Sequence, residues 1–295
     1  MSQVHEAIAE ATRKLAEAGI DSARVDAELL AEHAFGVPRG RLAVAPDPEP
    51  QRLDLLWHLV AERATRVPVQ YLTGLAPFRY LELVVGPGVF VPRPETELLV
   101  DWGLERLAGI EAPVVVDLAS GTGAIALSVA TECPAATVYA VERSPRALDW
   151  LRRNAGNSGV RVVEADVTAP ATLAELDGRV DLVLCNPPYV PDASPVAPEV
   201  SGHEPTEAVF GGPDGLDVIR PVIARAAGLL RGGGAVGIEH DDSHGEAVPT
   251  LLRADGRFAA IADHRDLAGR PRFATATRLA DCNGPSGPDR RDCSK

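Results

Sequence analysis

Apolar residues at Val4, Ile8, Ala11, Leu15 and Ala18 recur at the spacing of one helix face, and Gly19 ends the run with a residue that accepts left-handed backbone angles. A second helix is predicted over Ala23–Phe35, with Val25, Leu29, Leu30 and Ala34 inward, ending near Gly36-Val37-Pro38. The stretch Ala45-Pro46-Asp47-Pro48-Glu49-Pro50 cannot be helical, because its alternate prolines remove donors and clash with the preceding turn. A third helix fits Gln51–Thr65 and carries Leu53, Leu56, Trp57 and Val60. Residues 1–67 therefore read as a small helical domain, close to the lower size limit for independent stability.

From Pro68 the rhythm changes. Phe78–Val85 reads as a strand, Gly86-Pro87-Gly88 as a turn and Val89-Phe90-Val91 as the returning strand, so residues 68–94 are expected to be a linker with a β-hairpin. Pro94-Glu95-Thr96-Glu97 opens the next helix, proline suiting its first turn and the acids its positive end. Beyond Pro113, apolar strands alternate with helices. The strands are Val114–Leu118, Thr137–Val141, Val160–Glu164, Val180–Leu184, Ala235–Glu239, Phe258–Ala262 and Phe273–Thr277; the helices include Ala124–Thr131 and Ala147–Asn157. This pattern predicts an α/β domain over residues 95–279, built on a mostly parallel seven-stranded sheet covered on both faces, the late pair of strands adding an antiparallel edge. Residues 280–295 lack periodicity and are expected to be a disordered tail.

Composition narrows the class. With 29 Lys+Arg against 42 Asp+Glu the formal charge is −13. Such an excess of carboxylates repels phosphate backbones, which argues against general nucleic-acid binding while leaving a local basic patch open. The apolar runs are too short to cross a bilayer, where ~20 residues are needed, and the N-terminal pattern lacks the regions of a signal peptide. A soluble, cytoplasmic protein with no membrane partner is expected. None of Cys133, Cys185, Cys282 and Cys293 forms a CxxC pair; Cys133 and Cys185 read as small buried thiols, and no metal site is expected.

Two segments carry chemistry. Asp117-Leu118-Ala119-Ser120-Gly121-Thr122-Gly123 joins a strand to a helix, where glycines let the backbone approach a ligand closely. A tight structural turn would look the same, but Glu142 ends the next strand, where a carboxylate can accept from both ribose hydroxyls of a nucleoside. No Walker lysine follows the glycines, so a nucleoside without phosphates, S-adenosylmethionine being the common one, fits better than a triphosphate. Asp166 could then accept from the adenine amino group, with Val167 against the ring; an exposed loop aspartate is the alternative.

The second segment, Asn186-Pro187-Pro188-Tyr189, directly follows an apolar strand. Two prolines stiffen the backbone, so the Pro187 carbonyl can be aimed outward beside the Asn186 side-chain oxygen. Two acceptors at a strand end can hold both protons of a planar NH2 group, and Tyr189 offers a flat face to it. An amide or aromatic amine is a poor nucleophile. Two acceptors position it for in-line attack and stabilise the positive charge that develops as it is methylated. Taken alone, the segment would pass for a rigid proline turn after a core strand.

With these residues in place the chain resembles the release-factor glutamine methyltransferases, over nearly all of its length to about Leu279. Arg24–Leu30 (RVDAELL) is similar to that family's helical N-terminal domain, Pro68–Gly74 (PVQYLTG) to its linker, and Phe90–Glu97 (FVPRPETE) to its signature. Asp117–Leu127 resembles its cofactor loop; Asn186–Val190, Glu204-Pro205 and Gly215-Leu216-Asp217 complete the likeness. The resemblance implies a Rossmann-like class I methyltransferase fold. The implied reaction methylates the side-chain amide, N5, of the glutamine in the GGQ loop of class I peptide chain release factors, in translation termination, with S-adenosylmethionine becoming S-adenosylhomocysteine. It implies cofactor contacts from Ala119, Ser120, Gly121, Thr122, Gly123, Glu142, Asp166, Val167 and Asn186. Asn186, Pro187 and Tyr189 would be catalytic, with Pro188, Phe90 and Arg93 completing the substrate pocket. The helical domain would hold the release factor. His240–Gly245 and Gly202-His203 depart from the family pattern at the pocket rim; His203 and His244 read as surface loop residues. Rival readings are an exocyclic-amine methyltransferase acting on adenine or guanine in nucleic acid, a small-molecule methyltransferase, and a scaffold that keeps the fold without the activity.

Overall fold

A computed structural model describes residues 2–280; the predicted tail, apart from Ala280, lies outside the described residues. Four helices come first: α1 (Gln3–Glu17), α2 (Ala23–Phe35), α3 (Pro50–Ala64) and the short α4 (Val69–Thr73). Val4, Ile8, Ala11 and Leu15 on α1 meet Ala27 and Leu30 on α2 and Leu56 and Val60 on α3 in one buried cluster. Gly36 closes α2 at φ 65°, the left-handed conformation that a glycine C-cap adopts without penalty. Val25, expected inward, is instead 41% exposed, while its neighbour Asp26 is buried against Arg63 at 2.7 Å. The apolar count alone could not tell a buried carboxylate from a solvated one.

The hairpin is displaced from its expected position. Its strands are β1 (Leu75–Phe78) and β2 (Leu81–Val84), paired antiparallel with Phe78 opposite Leu81. The turn is made by Arg79, at φ 52°, and Tyr80, not by the later glycines. Arg79 is held there from outside, its amide donating to Glu97 at 3.0 Å and its guanidinium to Glu132 at 2.6 Å. Gly86 and Gly88 serve close packing instead: a Cβ on Gly86 would lie 2.6 Å from Trp150, and one on Gly88 2.9 Å from Arg146.

The remaining chain runs α5 (Thr96–Leu107), β3 (Val114–Leu118), α6 (Ala124–Glu132), β4 (Thr137–Glu142), α7 (Pro145–Ala155), β5 (Arg161–Glu164) and β6 (Val180–Cys185). It continues through α8 (Pro198–His203), α9 (Thr206–Val209), α10 (Ile219–Leu229), β7 (Leu230–Glu239), α11 (Ala247–Asp255), β8 (Phe258–Arg265) and β9 (Pro271–Arg278). The sheet order is β5-β4-β3-β6-β7-β9-β8, with β9 antiparallel to both neighbours and the rest parallel. This is the expected mostly parallel seven-stranded α/β sheet. Separate apolar cores fill its two faces, one gathering Leu99, Leu148 and Leu184, the other Val116, Val183 and Ile223. Cys185 is buried in the second core, Cys133 is half-buried, and both are free thiols.

Candidate active site

Strand order reverses at β3: β4 lies on one side of it and β6 on the other. The loops leaving β3 and β6 therefore part, and a crevice opens beyond the strand ends, the place where open α/β sheets bind ligands. A cleft of about 1150 Å³ of open space occupies it. Ala119–Thr122 line it from the end of β3, Glu142 from β4, Asn186–Tyr189 from β6, and Phe90 and Arg93 from the linker. Val167 lines it too, whereas Gly123 and Asp166 do not.

The loop after β3 is tightly wound. Ala119, Gly121 and Gly123 sit at φ 62°, 55° and 86°, and Ala119 carries the strain of a left-handed non-glycine residue, ~1 kcal/mol or more. Gly123 faces away from the cleft, where a Cβ would stand 2.6 Å from Leu151; the glycine lets the start of α6 come close to the Leu151 side chain on α7. Gly121 has no atom within 4 Å of a would-be Cβ, so its backbone is open to a ligand. Its amide donates to Glu142 Oε2 at 2.9 Å, while Glu142 Oε1 accepts from the amides of Arg143 and Ser144 at 2.7 and 2.8 Å. Three amide donors fix a carboxylate that has about four acceptor directions, leaving one on Oε2.

Asp166 stands beside this arrangement. Its Oδ1 accepts from the Thr168 amide and hydroxyl, and its Oδ2 meets Arg143 at 3.2 Å. Although partial burial acts to raise its pKa, these bonds bring it below the usual carboxylate range.

At the end of β6, the Asn186 amide nitrogen donates to the Thr96 hydroxyl at 3.0 Å. The Tyr189 hydroxyl donates to Glu239 Oε1 at 3.0 Å. Glu239 ends β7, is 1% exposed, and burial pushes its pKa up to about 7; Thr96, Tyr189 and Arg272 oppose the shift and Glu95 adds to it. Asp117 below the glycine loop is likewise pushed up to about 7 by complete burial. Among the described residues, no donor reaches Asn186 Oδ1 or the Pro187 carbonyl oxygen.

On the opposite wall the Arg93 guanidinium lies 4.5 Å over the Phe90 ring and reaches Glu204 Oε1 at 2.6 Å. Burial raises the Glu204 pKa against the pull of Arg93. Nearby, Glu199 on α8 receives Arg63 at 2.9 Å and Arg66 at 2.8 Å, tying the chain beyond Tyr189 to helix α3. His203 is half-buried. His244 is not the expected surface residue: it is 6% exposed and bonds the Asp214 carbonyl at 2.9 Å, filling space behind Gly215.

Sequence reasoning passed over Thr96 and Glu239. Glu239 did carry a signal, since a carboxylate at the end of an apolar strand is what singled out Glu142. Among the described residues no cluster of three or more His, Cys, Asp or Glu could hold a metal ion, and no helix is long and apolar enough to cross a membrane.

Comparison with known proteins places the chain in a family and a fold. Residues 6–74 match the family model "PrmC N-terminal domain" and residues 83–198 the model "Methyltransferase small domain". The chain is 52% identical to the release factor glutamine methyltransferase of Mycolicibacterium smegmatis, over 95% of this chain and 99% of that protein. It is 48% identical to the release factor glutamine methyltransferase of Streptomyces coelicolor, over 92% and 96%. Among solved structures, the hMettl16 catalytic domain in complex with the MAT2A 3′UTR hairpin 1 superposes with a TM-score of 0.54 at 16% identity, over 70% of this chain and 79% of that one, a likeness of fold.

Proposed function

The chain belongs to the release factor glutamine methyltransferases, and from that premise we propose how its site methylates its target. The enzyme methylates a release-factor glutamine; the acceptor atom is the side-chain amide nitrogen, N5, in the GGQ loop of a class I release factor. The donor is S-adenosylmethionine, and the site residues suit it: an open backbone at Gly121 and a carboxylate at Glu142 with one acceptor direction left. Bound there, the donor supplies an electrophilic methyl group on a sulfonium sulfur.

The chain's own residues do the rest. Ala119, Ser120, Gly121 and Thr122 form the cradle, Glu142 Oε2 accepts from ribose, and Val167 packs on the base. Asp166 reaches the adenine amine by exchanging its exposed partner Arg143, a pair worth less than ~1 kcal/mol. Asn186 Oδ1 and the Pro187 carbonyl accept the two amide protons of the substrate glutamine, with Pro188, Tyr189, Phe90 and Arg93 as walls. The nitrogen lone pair is thereby directed at the incoming carbon, and the charge that develops on nitrogen is stabilised by the two oxygens. Its proton can leave afterwards to water, so no strong base is needed. Residues 1–67 provide the docking surface for the body of the release factor.

The observation that carries this reading is the pair of cleft-wall residues whose Asn186 Oδ1 and Pro187 oxygen accept nothing from the described residues. A nucleic-acid amine could use the same pair, but relatives named for release-factor glutamine do not favour it. The test is mass spectrometry of a release factor incubated with the enzyme and labelled donor. Methyl is expected on the GGQ glutamine, and Asn186→Ala should cut kcat by about a hundredfold with little change in donor affinity. Label appearing only in nucleic acid, or full turnover by the variant, would overturn it.

A further inference from the structure

The linker that leads into Phe90 is fastened to the donor side of the cleft by one helix. Gly88, Val89 and Phe90 line the cleft, and so do Arg143, Ser144 and Ala147 around the start of α7. Arg146, Trp150 and Asn154 are spaced four apart on α7, so they stack on one face of it. The first two leave no room for a Cβ on Gly88 or Gly86, and the Trp150 indole N–H donates to the Pro87 carbonyl at 3.4 Å. Asn154 does more. The Val85 amide donates across the hairpin to the Gly74 carbonyl at 3.0 Å, so the N–H and C=O of Val84 point the other way, off the hairpin's edge. Asn154 meets both of them: its Oδ1 accepts from the Val84 amide at 2.8 Å, and its Nδ2 donates to the Val84 carbonyl at 3.0 Å. Nδ2 also donates to the Thr122 carbonyl, again at 3.0 Å. The Ala126 amide, which would take that carbonyl if α6 began one residue earlier, donates instead to Asp117 Oδ2 at 3.1 Å. Carbonyls only accept and a backbone amide only donates, so the three partners fix which end of the Asn154 side chain is oxygen and which is nitrogen.

We propose that Asn154 is a positioning residue for methyl transfer: by joining Thr122 of the donor cradle to the hairpin edge at Val84, it sets the spacing between the donor and the Phe90 wall of the glutamine pocket. Covering the edge of a two-stranded hairpin would need only the two bonds to Val84. The third bond reaches a cleft residue on a different chain segment, 38 positions away from the hairpin edge. Phe90 lies six residues beyond Val84, and Gly86 and Gly88 in between are held against α7, so the position of Val84 is passed on with little slack. In-line transfer is sensitive to such spacing, a misplacement of ~1 Å costing on the order of a hundredfold in rate. This inference rests on the donor role proposed above for the glycine loop and the substrate role proposed for Phe90, and the two can fail separately.

The test uses two variants of the full chain. Asn154→Ala removes all three bonds at a half-buried position that water can reach, and alanine suits a helix better than asparagine, so α7 should hold. Asn154→Asp keeps the shape and the acceptor for the Val84 amide but turns an oxygen toward both carbonyls. Methylation of a short GGQ peptide is measured at saturating donor, with folding checked by circular dichroism and with Phe90→Ala and the Phe90→Ala/Asn154→Ala double variant alongside. Both Asn154 variants should lose about tenfold in kcat while folded. In the Phe90→Ala background, where the wall to be positioned is gone, Asn154→Ala should cost less than about threefold more. Wild-type kcat in folded Asn154→Ala would overturn the proposal, and so would full activity in Asn154→Asp, because the hold on the hairpin edge would then suffice without Thr122. A tenfold loss repeated in full on top of Phe90→Ala would mark a merely structural bond and would overturn it as well. If Phe90→Ala itself turns over normally, the reading of the pocket wall fails and this inference with it; if that variant is impaired and the Asn154 loss simply adds to it, only the positioning role fails.

Discussion

Replacing Glu239 by glutamine should make the protein more stable at alkaline pH, by an amount that its burial sets. The folded state holds the Glu239 proton up to about pH 7, whereas an ordinary glutamate gives it up near 4.5. Between those values the folded state binds more protons than the unfolded one, so unfolding releases a proton and stability falls as pH rises. By pH 8 the accumulated loss is roughly 3 kcal/mol, the free energy of ionising the buried carboxylate. Glutamine carries no charge at any pH and escapes that loss. It gives up one acceptor, at a cost of about 1 kcal/mol. The net expectation is a gain of about 2 kcal/mol at pH 8 that vanishes by pH 5. Asp117 has a shift of the same sign, but it is common to both proteins and cancels. Urea unfolding at the two pH values, followed by tryptophan fluorescence, measures the difference. Trp102 is a suitable reporter because it packs on β7, 3.0 Å from where a Cβ on Gly237 would stand. A variant whose stability change is the same at pH 5 and pH 8 would refute the reasoning, because Glu239 would then not be held in its protonated form by burial.

Glu142→Ala should weaken donor binding by at least about tenfold, the loss of one charge-assisted hydrogen bond, and calorimetry showing an unchanged Kd would remove Glu142 from the ribose site. Gly123→Ala should destabilise the fold by ~2–3 kcal/mol, combining a φ of 86° with a 2.6 Å approach to Leu151; a denaturation midpoint at the wild-type value would show that the turn and Leu151 can shift without cost. Deleting residues 1–67 should impair methylation of an intact release factor far more than that of a short GGQ peptide; equal losses on both would show that this region does not dock the substrate.

Much of this architecture is written locally in the chain, and the parts that are not share one cause. Val114–Leu118 and Val180–Cys185 are apolar except for Asp117 and Asp181, because both faces of a parallel strand are covered, and such runs announce themselves. The turn after β3 and the Asn-Pro-Pro-Tyr corner are likewise short-range: backbone freedom or stiffness is a property of the residues in place. The hairpin escaped because its turn is imposed on Arg79 by Glu97 and Glu132, and nothing in Arg79 itself asks for φ 52°. What the sequence did not announce at Asp166 is its local bonding: its side chain closes a turn with Thr168 and meets Arg143. His244 escaped because only the packed fold shows that its ring fills the space behind Gly215. Thr96 and Glu239 were the most informative omissions. Each is unremarkable in sequence, a threonine in a first helical turn and a glutamate at a strand end, and each meets its partner, Asn186 for Thr96 and Tyr189 for Glu239, only when β6, β7 and α5 converge. A buried carboxylate that ionises near neutral pH is costly to keep in a core, and a structural need for bulk at that position would be met by an apolar side chain at lower cost. Glu239 Oε1 instead accepts from the Tyr189 hydroxyl, and that bond, which ties the end of the Asn-Pro-Pro-Tyr segment to β7, is one that an apolar side chain could not make.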